Sequence, residues 1–145
     1  MVSIGVELQG LQQLLSQLQR LDQSADQALE EVITDLVTDT HSLAVAGIQG
    51  GPKSGRTYRR GNATHQASAP GQYPASDTGR LAGSVRFELP QPGSLTGRVG
   101  TSVAYGPMLE FGTSRMAARP WLMPSFERAK IGVEKELPAR LEAKL

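Results

Sequence analysis

The sequence predicts an α+β fold, with a small, mostly antiparallel sheet packed against one long N-terminal helix and a C-terminal helix. A long extended basic loop at about 48–76 interrupts it. Three observations predict this. Apolar residues alternate with polar ones in short runs near the start and between 85 and 103, the period of half-buried strands. They recur every three to four residues over 25–46 and again over 126–141, the period of amphipathic helices. Between these blocks, from Ile48 to Ser76, glycine, proline, serine and basic residues dominate.

Val2, Ile4, Val6 and Leu8 alternate with Ser3, Gly5 and Glu7, which predicts a short strand. Leu11, Leu14, Leu15, Leu18 and Leu21 form the stripe of an amphipathic helix with a glutamine-rich outer face. Asp22 or Ser24 can cap a second, longer helix, whose stripe is Ala25, Leu29, Val32, Ile33, Leu36, Val37, Leu43 and Ala44. Gly47, Gly50, Gly51 and Pro52 are expected to stop it near Ala46. The loop that follows exceeds the usual limit of about 12–15 residues, so it is expected to be functional or poorly ordered until assembly.

Order is expected to resume at Asp77-Thr78-Gly79-Arg80-Leu81, with Asp77 or Thr78 capping a short helical turn. Val85, Phe87 and Leu89 then alternate with Ser84, Arg86 and Glu88, and alternation returns from Leu95 to Val103. Pro90, Pro92 and Gly93 between them predict an antiparallel hairpin. Tyr105 to Phe111 reads as a short helix closed by Gly112. Pro124 suits the first position of a last helix, in which Phe126, Ala129, Val133, Leu137 and Leu141 share a face. Pro138 should kink or end that helix near Leu137.

With 145 residues, the chain suits one domain, 1–145, large enough to fold on its own core. It has no cysteine, which excludes disulfides, thiolate metal sites and a cysteine nucleophile. The N-terminus lacks the basic and apolar regions of a secretory signal, and no apolar run approaches the roughly 20 residues that cross a bilayer. The net charge of +1 hides an asymmetry. Met1–Asp39 carries one basic and seven acidic residues, whereas Thr40–Arg98 carries seven basic and two acidic. An acidic helix and a basic loop in one small domain suit head-to-tail docking of copies.

Catalytic groups do not assemble in the pattern. His41 and His65 lie far apart without metal-ligand spacing, and no serine sits in a Gly-x-Ser-x-Gly setting. Glu110 lacks a second carboxylate or a histidine nearby in sequence. It is expected to act as a cap or in an ion pair with Arg115 or Arg119. No enzyme, cofactor or metal is expected. The basic loop offers Lys53, Arg56, Tyr58, Arg59, Arg60, His65 and Tyr73 as contacts to a protein partner. Contact with passing DNA is the weaker alternative.

Two blocks carry a resemblance. One is Ser68-Ala69-Pro70-Gly71-Gln72-Tyr73-Pro74, leading into Thr78-Gly79-Arg80-Leu81 and Ser84. The other is Glu110-Phe111-Gly112-Thr113, followed by Arg119-Pro120-Trp121-Leu122 and Pro124. In this order the chain resembles the lambdoid tailed-phage gene-ten tail-component family, neck and tail-completion proteins of the head–tail junction. Met123 departs from it, standing where a basic residue is more usual.

The resemblance implies a structural virion protein that self-associates, as a hexameric ring because tails are six-fold. It implies a place in the virion neck or tail, with the host cytoplasm as the site of assembly and no membrane contact. The implied neighbours are a head-closure or connector protein and a tail terminator or tail-tube protein. It further implies that Trp121, Leu122 and Phe126 pack the last helix on the sheet, while Glu110, Phe111, Gly112, Arg119 and Pro120 shape the turn that docks it. A tail terminator, a virion-morphogenesis protein and a small DNA-contacting protein are the alternatives.

Overall fold

The computed structural model describes residues 2–4 and 23–144. The predicted helix over 11–21 lies outside them, as do Asp22 and the end of the first predicted strand. In chain order the elements are β1 (Val2–Ile4), α1 (Gln23–Gln49), β2 (Thr57–Arg60), β3 (Ala63–Gln66) and α2 (Arg80–Ser84). They continue with β4 (Val85–Glu88), β5 (Arg98–Thr101), α3 (Tyr105–Phe111) and α4 (Met123–Lys144). The fold class is α+β, with two small antiparallel sheets; α1 packs on the three-stranded sheet and α4 packs against α1.

Among the described residues the first sheet has the order β1-β5-β4, antiparallel throughout. Val2 pairs with Thr101 and Ile4 with Val99, while Val85 pairs with Thr101 and Glu88 with Arg98. The second sheet is the hairpin β2–β3, in register Tyr58 with His65 and Arg60 with Ala63.

Two apolar clusters hold the layers together. Ile33, Val37, Ala44 and Ile48 of α1 meet Val85 and Val99 of the sheet, Leu81 and Ala82 of α2, and Trp121 and Leu122. Val32 and Leu36, on the neighbouring stripe of α1, meet Phe126, Ala129 and Val133 of α4. Phe126 therefore packs on the long helix rather than on the sheet.

Several boundaries differ from expectation for physical reasons. Helix α1 begins at Gln23, so Ser24 lies inside it, and it runs through Gly47 to Gln49. Gly47 is retained because the Tyr73 ring lies flat against it; a Cβ there would sit 2.3 Å from ring carbons. The helix gains Ile48, one of the most buried residues of the fold at 1% exposure. Lys53 then donates from Nζ to the carbonyls of Gly47 and Tyr73, each at 2.9 Å, placing a cation at the C-terminal end of the helix dipole.

Gly79 precedes α2 in a left-handed conformation (φ 74°), and of the two expected caps it is Thr78 whose Oγ1 accepts from the first N–H of the helix, that of Arg80, at 3.4 Å. Asp77 is engaged elsewhere. Strand β4 buries Val85, but Phe87 and Leu89, expected on the same covered face, are 41% and 43% exposed. Among the described residues strand β4 lies at the edge of the sheet, and the long helix follows the hairpin to its turn, where Gly93 N donates to Glu30 Oε1 at 3.2 Å. Strand β5 begins at Arg98 rather than at Leu95.

Helix α4 continues through Pro138 to Lys144. Proline there leaves one upstream carbonyl without its helical donor, and Pro138 is exposed, so water can satisfy it. Arg140, beyond the proline, bonds Asp35 of α1 and Glu136 of its own helix, which fastens the last turns to the fold.

Candidate functional site

The turn from α3 into α4 is built around Glu110. Its position on α3 points the carboxylate inward, where it is 6% exposed. Oε2 accepts from the backbone N–H groups of Trp121 (2.8 Å) and Leu122 (2.9 Å), and Oε1 from that of Met123 (2.9 Å). The Met123 N–H opens α4 and the other two belong to the residues just before it, at the end where the helix dipole favours negative charge. The expected capping role holds. The alternative partners do not, because Arg119 points away, its Nε donating to the Ser68 carbonyl at 3.1 Å.

Gly112 (φ 75°) closes α3 with no room for a side chain; a Cβ would lie 2.9 Å from the Ala118 nitrogen and the Met116 carbonyl oxygen. Trp121 is 1% exposed and donates from Nε1 to the Gly106 carbonyl at 3.0 Å. Phe111, expected to shape this turn, instead stands 71% exposed.

The same corner anchors the long loop. Arg119 N donates to the Leu109 carbonyl (2.7 Å), and Gly71 N to the Ala118 carbonyl (3.0 Å). The Tyr73 hydroxyl lies 2.8 Å from Ser125 Oγ, which itself donates to the Trp121 carbonyl at 2.6 Å. Gln72 ties the loop to itself, with Oε1 accepting from Ser54 N and Ala69 N and Nε2 donating to Ser54 Oγ. The two sequence blocks thus meet in space, Ser68 to Tyr73 against Ala118 to Ser125. Tyr73 and Lys53, expected as partner contacts, are internal anchors. Burial of the Lys53 ammonium lowers its pKa below the usual lysine value.

Between these anchors the expected featureless loop forms the hairpin β2–β3, and strand pleating sorts its side chains. Tyr58, Arg60 and His65 share the face turned toward Asp77. Arg60 donates to Asp77 Oδ2 at 2.6 Å, the Tyr58 hydroxyl donates to the same oxygen at 3.3 Å, and His65 Nδ1 lies 3.3 Å from Oδ1. The Tyr58 and His65 rings stack at 5.7 Å. The Arg60 hydrogen bond is the main cause holding the Asp77 carboxyl below its usual range. Thr57, Arg59, Thr64 and Gln66 occupy the opposite, outward face. Of the seven loop residues expected as contacts, only Arg56 and Arg59 carry a side chain with no polar partner among the described residues.

Hairpin, Asp77 loop, α2 and α3 enclose a groove of about 840 Å3. Thr78, Gly79 and Leu81 form its floor, and Tyr105, Met108 and Leu109 its α3 wall. Arg80 stands at its rim, with its guanidinium 6.0 Å from the centre of the Tyr105 ring. Tyr105, Met108 and Phe111 follow one another at helical spacing and are 37%, 52% and 71% exposed, an apolar stripe that no other described residue covers fully.

No family model, curated protein or solved structure matches this chain. Its functional reading therefore rests on its own residues.

Among the described residues no group of three or more histidine, aspartate or glutamate side chains is placed to hold a metal ion. Nor is any helix among them long and apolar enough to cross a membrane. His41 puts Nε2 3.2 Å from the Val85 carbonyl and its ring edge-on to Phe87. Sequence reasoning missed Asp77 as the anchor of the hairpin. The available signal was its place as the first acidic residue after the stretch Thr40–Ser76. The exposure of Met108 and Phe111 had no signal, because apolar residues at helical spacing read as core.

Proposed function

We propose that this chain is a structural protein of a tailed-phage virion, a neck or tail-completion component that works as an oligomeric ring joining tail to head, without catalytic turnover. The observation that carries this reading is the division of polar work. Among the described residues no buried side-chain nitrogen or oxygen lacks a partner. The ionisable groups of the interior, Glu110 foremost, are used in holding segments together, and none is left aimed at a substrate. What the surface offers instead is a cationic ribbon, an open apolar stripe and a groove, the features of a contact surface.

The resemblance of the Ser68–Ser84 and Glu110–Pro124 blocks to neck proteins supplies the place of action. The meeting of those blocks in one corner gives their joint presence a structural purpose. Head-closure, terminator or tube proteins would be the neighbours along the tail axis. Electron microscopy of purified particles, with the subunit located by a fused tag, tests the proposal. Density at the head–tail junction is expected, and particles lacking the protein would overturn it.

A second reading, contact with DNA passing through the ring, is favoured by the outward position of Arg56 and Arg59. It predicts binding that weakens steeply with added salt. Tyr58 already stacks one face of its ring on His65, which leaves only the other face to a base.

A further inference from the structure

The groove has walls of two kinds. Its α3 side is continuous with the core: Leu109 packs against the larger apolar cluster, and Leu81 of the floor belongs to it. Its other side is Tyr58 and Arg60 of the hairpin β2–β3. The hairpin gives no residue to either apolar cluster, and every residue of its strands except His65 is exposed. Its base, by contrast, is fixed. Gly55 N donates to the Ala67 carbonyl at 2.8 Å, and a Cβ on Gly55 would meet the Ser68 carbonyl oxygen at 2.4 Å. Ser68 is buried and its carbonyl is held by Arg119. Along the shaft, the strand pairing and the Tyr58–His65 stack bind the two strands to each other, not to the body. Among the described residues, the tie from shaft to body is Asp77, which takes Arg60 at 2.6 Å and Tyr58 and His65 at 3.3 Å. Asp77 also lines the groove, between buried Pro74 and the core residue Leu81, so this tie runs from the hairpin wall to a segment anchored in the core.

We propose that β2–β3 is a hinged wall of this groove, latched by Asp77, and that release of the latch swings the hairpin out about Arg56 and Ala67 and widens the groove. The device is independent of the ring reading, since it needs only the contacts within one chain. The two ends of the hairpin are held by unlike forces. At the base are backbone hydrogen bonds and close packing, which salt does not reach. At the latch are long side chains on a carboxylate whose side chain is 26% exposed, a contact that screening and water weaken. Motion therefore concentrates at the residues just beyond the fixed base, where a few backbone angles absorb the rotation. The hairpin moves as a unit, because opening breaks none of its own strand pairing. From Arg56 to Gly61 the arm is about 16 Å long at the rise of a strand, so a modest rotation carries its tip several ångströms.

The absence of native cysteine allows site-specific spin labels. One pair is Asn62→Cys, in the hairpin turn, with Ser114→Cys, in the turn between the groove residues Thr113 and Met116; both positions are exposed. A reference pair joins Ser114→Cys to Ser42→Cys, an exposed position on α1. Distances are read by pulsed electron resonance in the full chain. With Asp77 present, the first pair should give mainly one short distance. Asp77→Asn should at least double the fraction of longer distances, and about 1 M sodium chloride, where the Debye length falls to about 3 Å, should lengthen them with Asp77 intact. The reference pair should not change in either case. Unchanged first-pair distances in folded Asp77→Asn protein would overturn the latch. If that variant does not fold, the salt series decides, and no lengthening up to about 1 M would overturn it. Equal lengthening of the reference pair would place the motion in the α3 corner and overturn the proposal as well.

Discussion

Glu110 and Asp77 each draw three groups to one carboxylate, and they hold together very different parts of the molecule. Glu110 is 6% exposed and accepts from three backbone N–H groups that the start of α4 presents in fixed directions. Asp77 has a quarter of its side chain open and collects Arg60, Tyr58 and His65 from a hairpin that is exposed on both faces. The donors of Glu110 cost little further entropy to order, and their interaction is little screened. Those of Asp77 are long side chains at a wet surface, where ion pairs contribute little. The first carboxylate is part of the scaffold, the second a releasable tether. A subunit that must keep its shape while fitting a neighbour needs both.

The largest expected effect tests the scaffold side of that contrast. Trp121→Ala removes a ring that is 1% exposed and touches both sheet and long helix, and should cost about 3–5 kcal/mol in denaturant unfolding. A loss below about 1 kcal/mol would mean the corner is not the centre of the core. Glu110→Ala follows at about 3 kcal/mol, because three N–H groups lose a charged acceptor, two of them buried. If Glu110→Ala unfolds at the wild-type denaturant midpoint, the cap has no energetic role.

A smaller effect asks whether the loop belongs to the scaffold or to the tether. Alanine for glycine within a helix normally stabilises, by about 1 kcal/mol. Gly47→Ala should do the reverse and cost about 1–2 kcal/mol, since the new Cβ meets the Tyr73 ring at 2.3 Å. A stabilised Gly47→Ala protein would show that Tyr73 moves aside freely and that the loop is anchored elsewhere.

Periodicity made the frame of the fold legible. Helix α3 and its closing Gly112, the β4–β5 pairing and the buried face Phe126–Ala129–Val133 follow from spacing and turn residues alone. The loop was illegible for a definite reason. It is anchored by single residues from distant segments, with Tyr73 against Gly47, Arg119 against Ser68 and Gly71 against Ala118. None of these contacts has a period. The hairpin β2–β3 shows no alternation of apolar and polar residues because both its faces are wet. At the candidate surface, sequence gave the charge of the loop but not the pleat that sends Arg60 inward and Arg59 outward.

The mildest variant, Asp77→Asn, reads the tether directly. It should leave the global unfolding transition in place, because the hairpin contributes no residue to either apolar cluster. It should accelerate tryptic cleavage after Arg59 and Arg60, which the docked hairpin shields by holding Arg60 on Asp77. Lowering the pH should mimic the substitution in the wild type. The folded Asp77 carboxyl titrates below its unfolded value, chiefly through the Arg60 hydrogen bond. The tether is therefore fully formed above the ordinary aspartate range, near pH 4, and is lost as pH falls through the lower folded value. Because trypsin is inactive there, amide exchange over 57–66 is the appropriate measurement. Protection should fall below about pH 4 in the wild type and be low at every pH in Asp77→Asn. Equal protection in both proteins at neutral pH would place the hold on the hairpin outside Asp77, and the two carboxylates would no longer divide scaffold from tether.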